Sequence, residues 1–515
     1  MLQIRNLTLT HKKDLKTILE NFSCTFNDGQ RAVIIGEEGN GKSTLLRWIR
    51  DPELVEGYCE ASGERILQGQ RLGYLPQELS VGNRKKSVCE FFMEDESFLD
   101  QSPKELGRMA REFGVEPDFF YREQAMETLS GGEKVKAQMM RILLSGPQVL
   151  LLDEPSNDVD IETLEWLERL ILGWTGIVIF ISHDETLIER TANMVIHMEQ
   201  IRRKTESRYT VAAMPYEQYR RERLGRFEKQ ARMAENDRRR KKIRDEKYRR
   251  VCQSVEHAQN AISRQDPFTA GLLKKKMHAV KSMERRFARE DENMTDMPEE
   301  EGAIFFKLGD ESAAIPAGKT VLRYSLDDLT AGEGGRVLAE HVELLIRGPE
   351  KIGIVGKNGA GKTTLLRRIV EDLQGRGDIR AEYMPQNYEE LLDLDMTPVD
   401  FLDRSGDREE RTRIRTYLGA LKYTVDEMDH RIGELSGGQK AKILLLKMSL
   451  SGANVLILDE PTRNFSPLSG PVIRQLLREF PGAVISISHD RKYLEEVCDK
   501  VYRLEGKGLQ MVRGT

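Results

Sequence analysis

The sequence predicts an α/β protein: two copies of one strand, glycine loop and helix unit, joined by an α-helical hairpin. Three observations carry that expectation. The stretch RAVIIGEEGNGKST at residues 31–44 returns as KIGIVGKNGAGKTT at residues 351–364. Each copy continues to an apolar run ending in two acids, VLLLDEP at 149–155 and VLILDEP at 455–461. Between the copies, Arg220 to Phe287 holds 22 Lys and Arg against 9 Asp and Glu, a net +13 in a chain whose formal charge is −5. The expected segments are therefore 1–210, 211–302 and 303–515.

The first element of each copy fits the phosphate-loop pattern GxxxxGK[ST]. Gly36, Gly39 and Gly41 let the backbone curl so that its N–H groups point inward at phosphate oxygens, and side chains there would block the approach. Asn40 lies within that loop, and the following helix aims its positive end at the same anion. Lys42 is placed for the β- and γ-phosphates, with Ser43 and Thr44 after it and Ser43 as the Mg²⁺ ligand. The second copy supplies Gly356, Asn358, Gly359, Gly361, Lys362, Thr363 and Thr364 in the same order.

The apolar runs suit parallel strands buried on both faces, with chemistry at their carboxyl ends. Asp153 and Asp459 are the expected Mg²⁺ partners through water, and Glu154 and Glu460 the general bases that polarise the attacking water. LSGGE at 129–133 and LSGGQ at 435–439 each precede a helix, so Ser130, Gly131, Gly132 and Ser436, Gly437, Gly438 form a second kind of anion site.

These paired motifs resemble the nucleotide-binding domains of ABC ATPases. The resemblance covers residues 1 to about 210 and about 303 to 515. It makes Gln77 in YLPQE and Gln386 in YMPQN the Q-loop residues, which also reach Mg²⁺, and His183 and His489 the switch histidines. Ser130, Asp153 and His183 each precede Ser436, Asp459 and His489 by 306 residues, as one duplicated ancestor would leave them. The resemblance implies a head-to-tail pairing with ATP and Mg²⁺ held between one half's P-loop and the other's signature. One site would join Lys42, Gln77, Glu154 and His183 to Ser436–Gly438. The other would join Lys362, Gln386, Glu460 and His489 to Ser130–Gly132. Two departures stand out. Asp160 fills the D-loop aspartate position in the first copy, but Ser466 stands there in the second. Neither copy offers a clear aromatic for adenine, with His11 the one weak candidate.

Composition narrows the setting. No run of about 18 apolar residues exists to span a membrane. The first residues alternate like a strand and lack a secretory leader's basic flank and apolar block. Cys24, Cys59, Cys89, Cys252 and Cys498 are odd in number and never in CxxC spacing, against a disulfide framework or a metal site. A cytoplasmic monomer with intramolecular domain pairing is the expectation.

The middle segment reads as two helices. Val251, Val255, Ala258 and Ile262 repeat at four-three spacing, as do Leu273, Met277 and Val280, with Phe287 a heptad on. Pro267 and Gly271 in SRQDPFTAG are expected to break helix between them. The first arm would run roughly 65 Å at about 1.5 Å per residue. Basic side chains along a rod neutralise phosphates and release counterions. Arg264, Phe268, Lys274, Lys275 and Lys276 are the candidate RNA contacts near the tip. Paired ABC domains with a basic hairpin linker resemble the ABC-F family. That resemblance implies a ribosome partner, with rRNA and tRNA met near the tRNA exit site and the peptidyl-transferase centre. EPTRNFSP and LLKKKM look like its ribosome-protection branch, which implies antibiotic resistance. A housekeeping translation factor, a DNA-metabolism ATPase and a transporter ATPase subunit remain the alternatives.

Overall fold

The computed structural model describes the chain except residues 202–205, 261–266, 293, 296, 298–307, 310–312, 332–334 and 515, and a few linker side chains. The described chain forms two compact units, Met1–Tyr216 together with Glu301–Thr515, and Glu217–Glu300.

The first unit is a doubled α/β body. Its first half carries a six-stranded sheet in the order Leu72–Leu75, Val149–Asp153, Ile177–Ile181, Arg31–Ile35, Met194–Ile201, Glu206–Ala212. All neighbours are parallel except the final pair. The second half repeats that order with Ala381–Met384, Val455–Asp459, Ala483–Ile487, Lys351–Val355, Lys500–Glu505, Gly508–Gly514. Central strands such as Val149–Asp153 and Val455–Asp459 are buried at every position, which is why they read as unbroken apolar runs rather than alternating ones.

Each half adds an antiparallel layer: Thr17–Phe26, Leu2–His11 and Cys59–Ile66 in the first, Thr320–Thr330 and Val337–Arg347 in the second. One core therefore packs Leu2, Phe22 and Phe26 with Leu45 and Ile179, and its counterpart packs Val321, Val342, Leu365 and Ile485. These cores hold the helices Lys42–Arg50 and Lys362–Gln374 against the sheets, so the loop before each helix opens at the strands' carboxyl ends.

The second unit is a pair of helices, Tyr216–Asn260 and Pro267–Glu292. They run antiparallel. The Thr295 N–H donates to Asp237 at 3.2 Å, Arg244 bonds Glu290 at 3.3 Å and Asp291 at 2.6 Å, and Tyr248 meets Phe287 edge to face at 5.9 Å. Val255 and Val280 are buried. Two details differ from the sequence reading. Val251 is 47% exposed and lies outside the seam; Arg244 and Tyr248 do the contacting on its arm instead. Pro267 starts the second helix and Gly271 lies inside it. Proline's fixed φ suits a first turn, and an interior glycine costs only about 1 kcal/mol, which a 26-residue helix absorbs. Ile262 and Arg264 lie outside the described residues, as do the side chains of Phe268 and Leu273. Lys274, Lys275 and Lys276 are exposed.

Candidate functional site

Both glycine loops take the conformation their residues require. Gly36, Gly39 and Gly41 have φ of 146°, 81° and 83°, and Gly356, Gly359 and Gly361 have 152°, 80° and 93°. A Cβ on Gly36 would lie 2.2 Å from the Met198 carbonyl, and one on Gly41 would lie 2.0 Å from Ile18. In the second copy, Leu338 closes over Gly361 in the same way, at 2.9 Å. Ile18 and Leu338 thus flank the loops where an aromatic was sought, while His11 bonds Asp14 at 3.0 Å.

The lysines fold back over their loops. Lys42 Nζ donates to the carbonyls of Gly36 at 2.9 Å and Glu37 at 3.0 Å, and Lys362 Nζ donates to those of Gly356 at 2.7 Å and Lys357 at 3.0 Å. Ser43 Oγ donates to Asp153 at 2.9 Å and Thr363 Oγ1 to Asp459 at 2.8 Å. A hydroxyl beside a buried carboxylate at the loop's foot suits a hard cation that also takes phosphate oxygens. Burial raises the pKa of both aspartates, a cost that a bound cation would relieve. When bound, Mg²⁺ would neutralise charge on the phosphates there. Asn40 is turned away, donating to the Met198 carbonyl at 3.0 Å, and Thr44 and Thr364 occupy the first turn of each helix.

The two candidate base carboxylates sit just past their strands in left-handed backbone, at φ 50° for Glu154 and 54° for Glu460. Non-glycine residues rarely hold this region, and functional sites are where they collect. Their surroundings differ. Glu154 accepts from Gln77 at 3.1 Å, from Asn157, and from His183 Nε2 at 3.2 Å. Burial alone would raise its pKa, but the His183 bond and charge, with Lys42 and Asn157, outweigh that and hold it at about 2. Among the described residues, the Glu460 carboxylate accepts a backbone N–H from His489 at 3.3 Å, and the His489 ring stands 3.9 Å off. Burial beside Asp459 pushes Glu460 up to about 8, and burial near Lys362 pushes His489 down to about 4.

The sites span both halves. His183 Nδ1 donates to the Phe465 carbonyl of the other half at 2.8 Å. Gly438 N–H, in the second signature, donates to Glu38 of the first P-loop at 2.6 Å. On the other side, Asn358 of the second P-loop donates to the Asp158 carbonyl at 2.5 Å, and a Cβ on Gly131 would lie 1.8 Å from that same oxygen. The first P-loop therefore faces the second signature, and the second P-loop lies by the first signature and its D-loop. Ser130 and Ser436 cap their helices through capping boxes with Glu133 and Gln439. Gly132 leaves room for Thr163, where a Cβ would lie 2.5 Å from its hydroxyl.

Several residues here were missed by motif reading. Asp158 bonds across the seam: its carboxylate accepts from Gln386 at 2.9 Å and Arg463 at 2.8 Å. Asp160 caps the helix Ile161–Gly173, accepting from the Thr163 N–H at 2.9 Å. Ser466 is buried and its hydroxyl lies 2.9 Å from that of Ser469, inside its own half. Below the sites, Arg474 and Glu185 form a buried cross-seam ion pair at 2.8 Å, and Arg491 reaches Glu168 at 2.5 Å. A cavity of 1320 Å³ opens along the seam, lined by Gln77, Glu154 and His183 of one half and Lys362, Gln386 and Glu460 of the other.

No helix among the described residues is long and apolar enough to cross a membrane. Residues 19–157 and 339–463 match the family described as ABC transporter. The Bacillus subtilis protein YdiF is 26% identical over 574 residues, spanning 100% of this chain and 81% of its own. ABC transporter F family member 5 of Arabidopsis thaliana is 23% identical over 554 residues, spanning 97% of this chain and 74% of its own. Among solved structures, the archaeal ribosome recycling factor aABCE1, determined with the ribosomal stalk protein aP1, is similar with a TM-score of 0.56 and 18% identity. The likeness spans 99% of this chain and 90% of that one. A structure named RNase-L Inhibitor is similar at a TM-score of 0.54 and 17% identity, spanning 99% of this chain and 91% of its own. At these identities the likeness to solved structures is one of fold.

Proposed function

We propose that this chain, which belongs to the ABC transporter family and is an ABC ATPase, works as a cytoplasmic ribosome factor of the F branch. ATP with Mg²⁺ closes the two halves across the seam, and that closed form presents the basic hairpin to rRNA and tRNA near the tRNA exit site and the peptidyl-transferase centre. Hydrolysis at Glu154 and Glu460 lets the halves part and the factor leave. In each site the P-loop amides and lysine hold the phosphates and the carboxylate orients and deprotonates the attacking water; the His183 ring steadies Glu154, and the His489 backbone N–H does so for Glu460. The observation that carries this reading is the union, in one chain, of two seam-spanning ATPase sites with a two-helix unit whose segment is net +13. Relatives named as F family members align along nearly the whole chain, which supports the branch. A structural relative's description as a ribosome recycling factor supports the partner. The hairpin residues LLKKKM and the D-loop EPTRNFSP favour ribosome protection, hence antibiotic resistance, within that branch.

Competition tests the partner. Purified protein with Mg·ATP is offered ribosomes and excess duplex DNA together. Retention on ribosomes is the expected result, and transfer to DNA overturns the ribosome reading. Susceptibility to several ribosome-targeting drug classes, with and without the gene, then tests the protection role. Unchanged susceptibility to all of them removes that role.

A further inference from the structure

The two P-loops carry opposite charge at aligned positions. Glu37 and Glu38 stand in the first where Lys357 and Asn358 stand in the second, a difference of three charge units within reach of a bound triphosphate. They also meet the other half differently. Glu38 places a carboxylate on the Gly438 N–H at 2.6 Å, at the start of the helix Gly437–Leu450. The first turn of a helix is where an anion is best received. A signature helix offers that end to the nucleotide's terminal phosphate, so Glu38 already stands in for it. Beside that contact, Glu37, Glu38 and Gly438 line a small side cavity of about 40 Å³. The second P-loop puts a neutral amide in the matching place: a Cβ on Gly131 would lie 3.3 Å from Asn358 Nδ2, as one on Gly437 would lie 3.2 Å from the Glu38 carboxylate. Asn358 donates to the Asp158 carbonyl and so brings no negative charge to that signature, and Lys362 and Thr363 line the 1320 Å³ cavity, which also reaches Gln77, Glu154 and His183 of the first site.

We propose that Glu38 acts as an internal phosphate surrogate that ranks the two nucleotide sites. The site built on Lys362 fills first. The site built on Lys42 accepts ATP only after the Glu38 carboxylate has left Gly438, and its acidic loop makes it the weaker site. This ranking rests on the ATPase assignment and is independent of the ribosome reading, so a failure of either leaves the other standing.

The test uses the full chain with Glu154→Gln and Glu460→Gln, so that nucleotide persists, titrated with Mg·ATP by calorimetry. Two affinities are expected. Lys42→Ala should remove the weaker phase and Lys362→Ala the tighter one. Glu38→Asn should tighten the weaker phase by about tenfold, the scale for removing one partly screened charge near a polyanion. Glu38→Gln keeps the shape and should do the same, and melting without nucleotide checks that both variants fold. Lys357→Glu should loosen the tighter phase. A single shared affinity, loss of the tighter phase in Lys42→Ala, or a weaker phase unmoved in both folded Glu38 variants would overturn the proposal.

Discussion

Glu154 and Glu460 occupy the same position in the repeat, yet their protons are held differently. Asn157 and His183 both bond Glu154, whereas Arg463, at the place of Asn157, turns across the seam to Asp158. A general base acts only when ionised. Glu154, held at about 2, stays ionised across the working range, while Glu460, at about 8, takes up a proton as pH falls below that value. Two single variants separate the limbs. With Glu460→Gln, hydrolysis through Glu154 should be flat from about pH 6 to 9; with Glu154→Gln, hydrolysis through Glu460 should climb toward alkaline pH. Steady-state ATPase profiles check this, and coincident profiles would count against the asymmetry. The motif reading named both carboxylates from the acids that end the apolar strands, and both histidines from the resemblance to ABC ATPases. It could not find the asymmetry, because that depends on which way Asn157, Arg463 and Asp158 turn once two distant segments meet.

Among elements, the strands were the most legible. A run such as VLILDEP is apolar at every position because both faces of its strand are covered, and burial on both faces leaves little room for another structure. The hairpin was legible in kind but not in register. Its apolar spacing is sparse, so an arginine–acid–aromatic cluster around Arg244, Asp291 and Phe287 sets the contact that Val251 was expected to share. The seam itself was invisible, since no motif marks the pairing of helix Gly470–Arg478 with helix Glu185–Thr191. Their Arg474–Glu185 pair has both side chains 3% exposed. Arg474→Ala removes that partner from buried Glu185, which keeps Lys492 at 3.3 Å, and should cost about 2 kcal/mol of stability, read by denaturant unfolding. A loss below about 0.5 kcal/mol would mean the seam closes without it. On the hairpin, replacing Lys274, Lys275 and Lys276 with alanine should weaken ribosome binding. If each meets one phosphate, it should also lower the slope of log affinity against log salt by about 2–3. An unchanged slope would place the RNA contacts elsewhere.

At the scale of the whole molecule, the duplication explains the machine. One half carries a P-loop and the other the signature that faces it, twice over, but the contacts across the two sites differ: His183 bonds the Phe465 carbonyl, while His489 Nδ1 has no hydrogen-bond partner among the described residues. His183 on Phe465, Glu38 on Gly438 and Asn358 on Asp158 tie the two halves together. On the proposed mechanism, hydrolysis would act on that closure because the γ-phosphate would lie between the halves, and its loss would remove a shared anion from both. The measurement that reaches this most directly is cosedimentation of the Glu154→Gln, Glu460→Gln chain with ribosomes at moderate salt, in ATP and in ADP. The doubly substituted protein should pellet with ribosomes in ATP and stay in the supernatant in ADP. Equal recovery in the two nucleotides, or none in ATP, would contradict a nucleotide-closed clamp that places a basic hairpin on the ribosome.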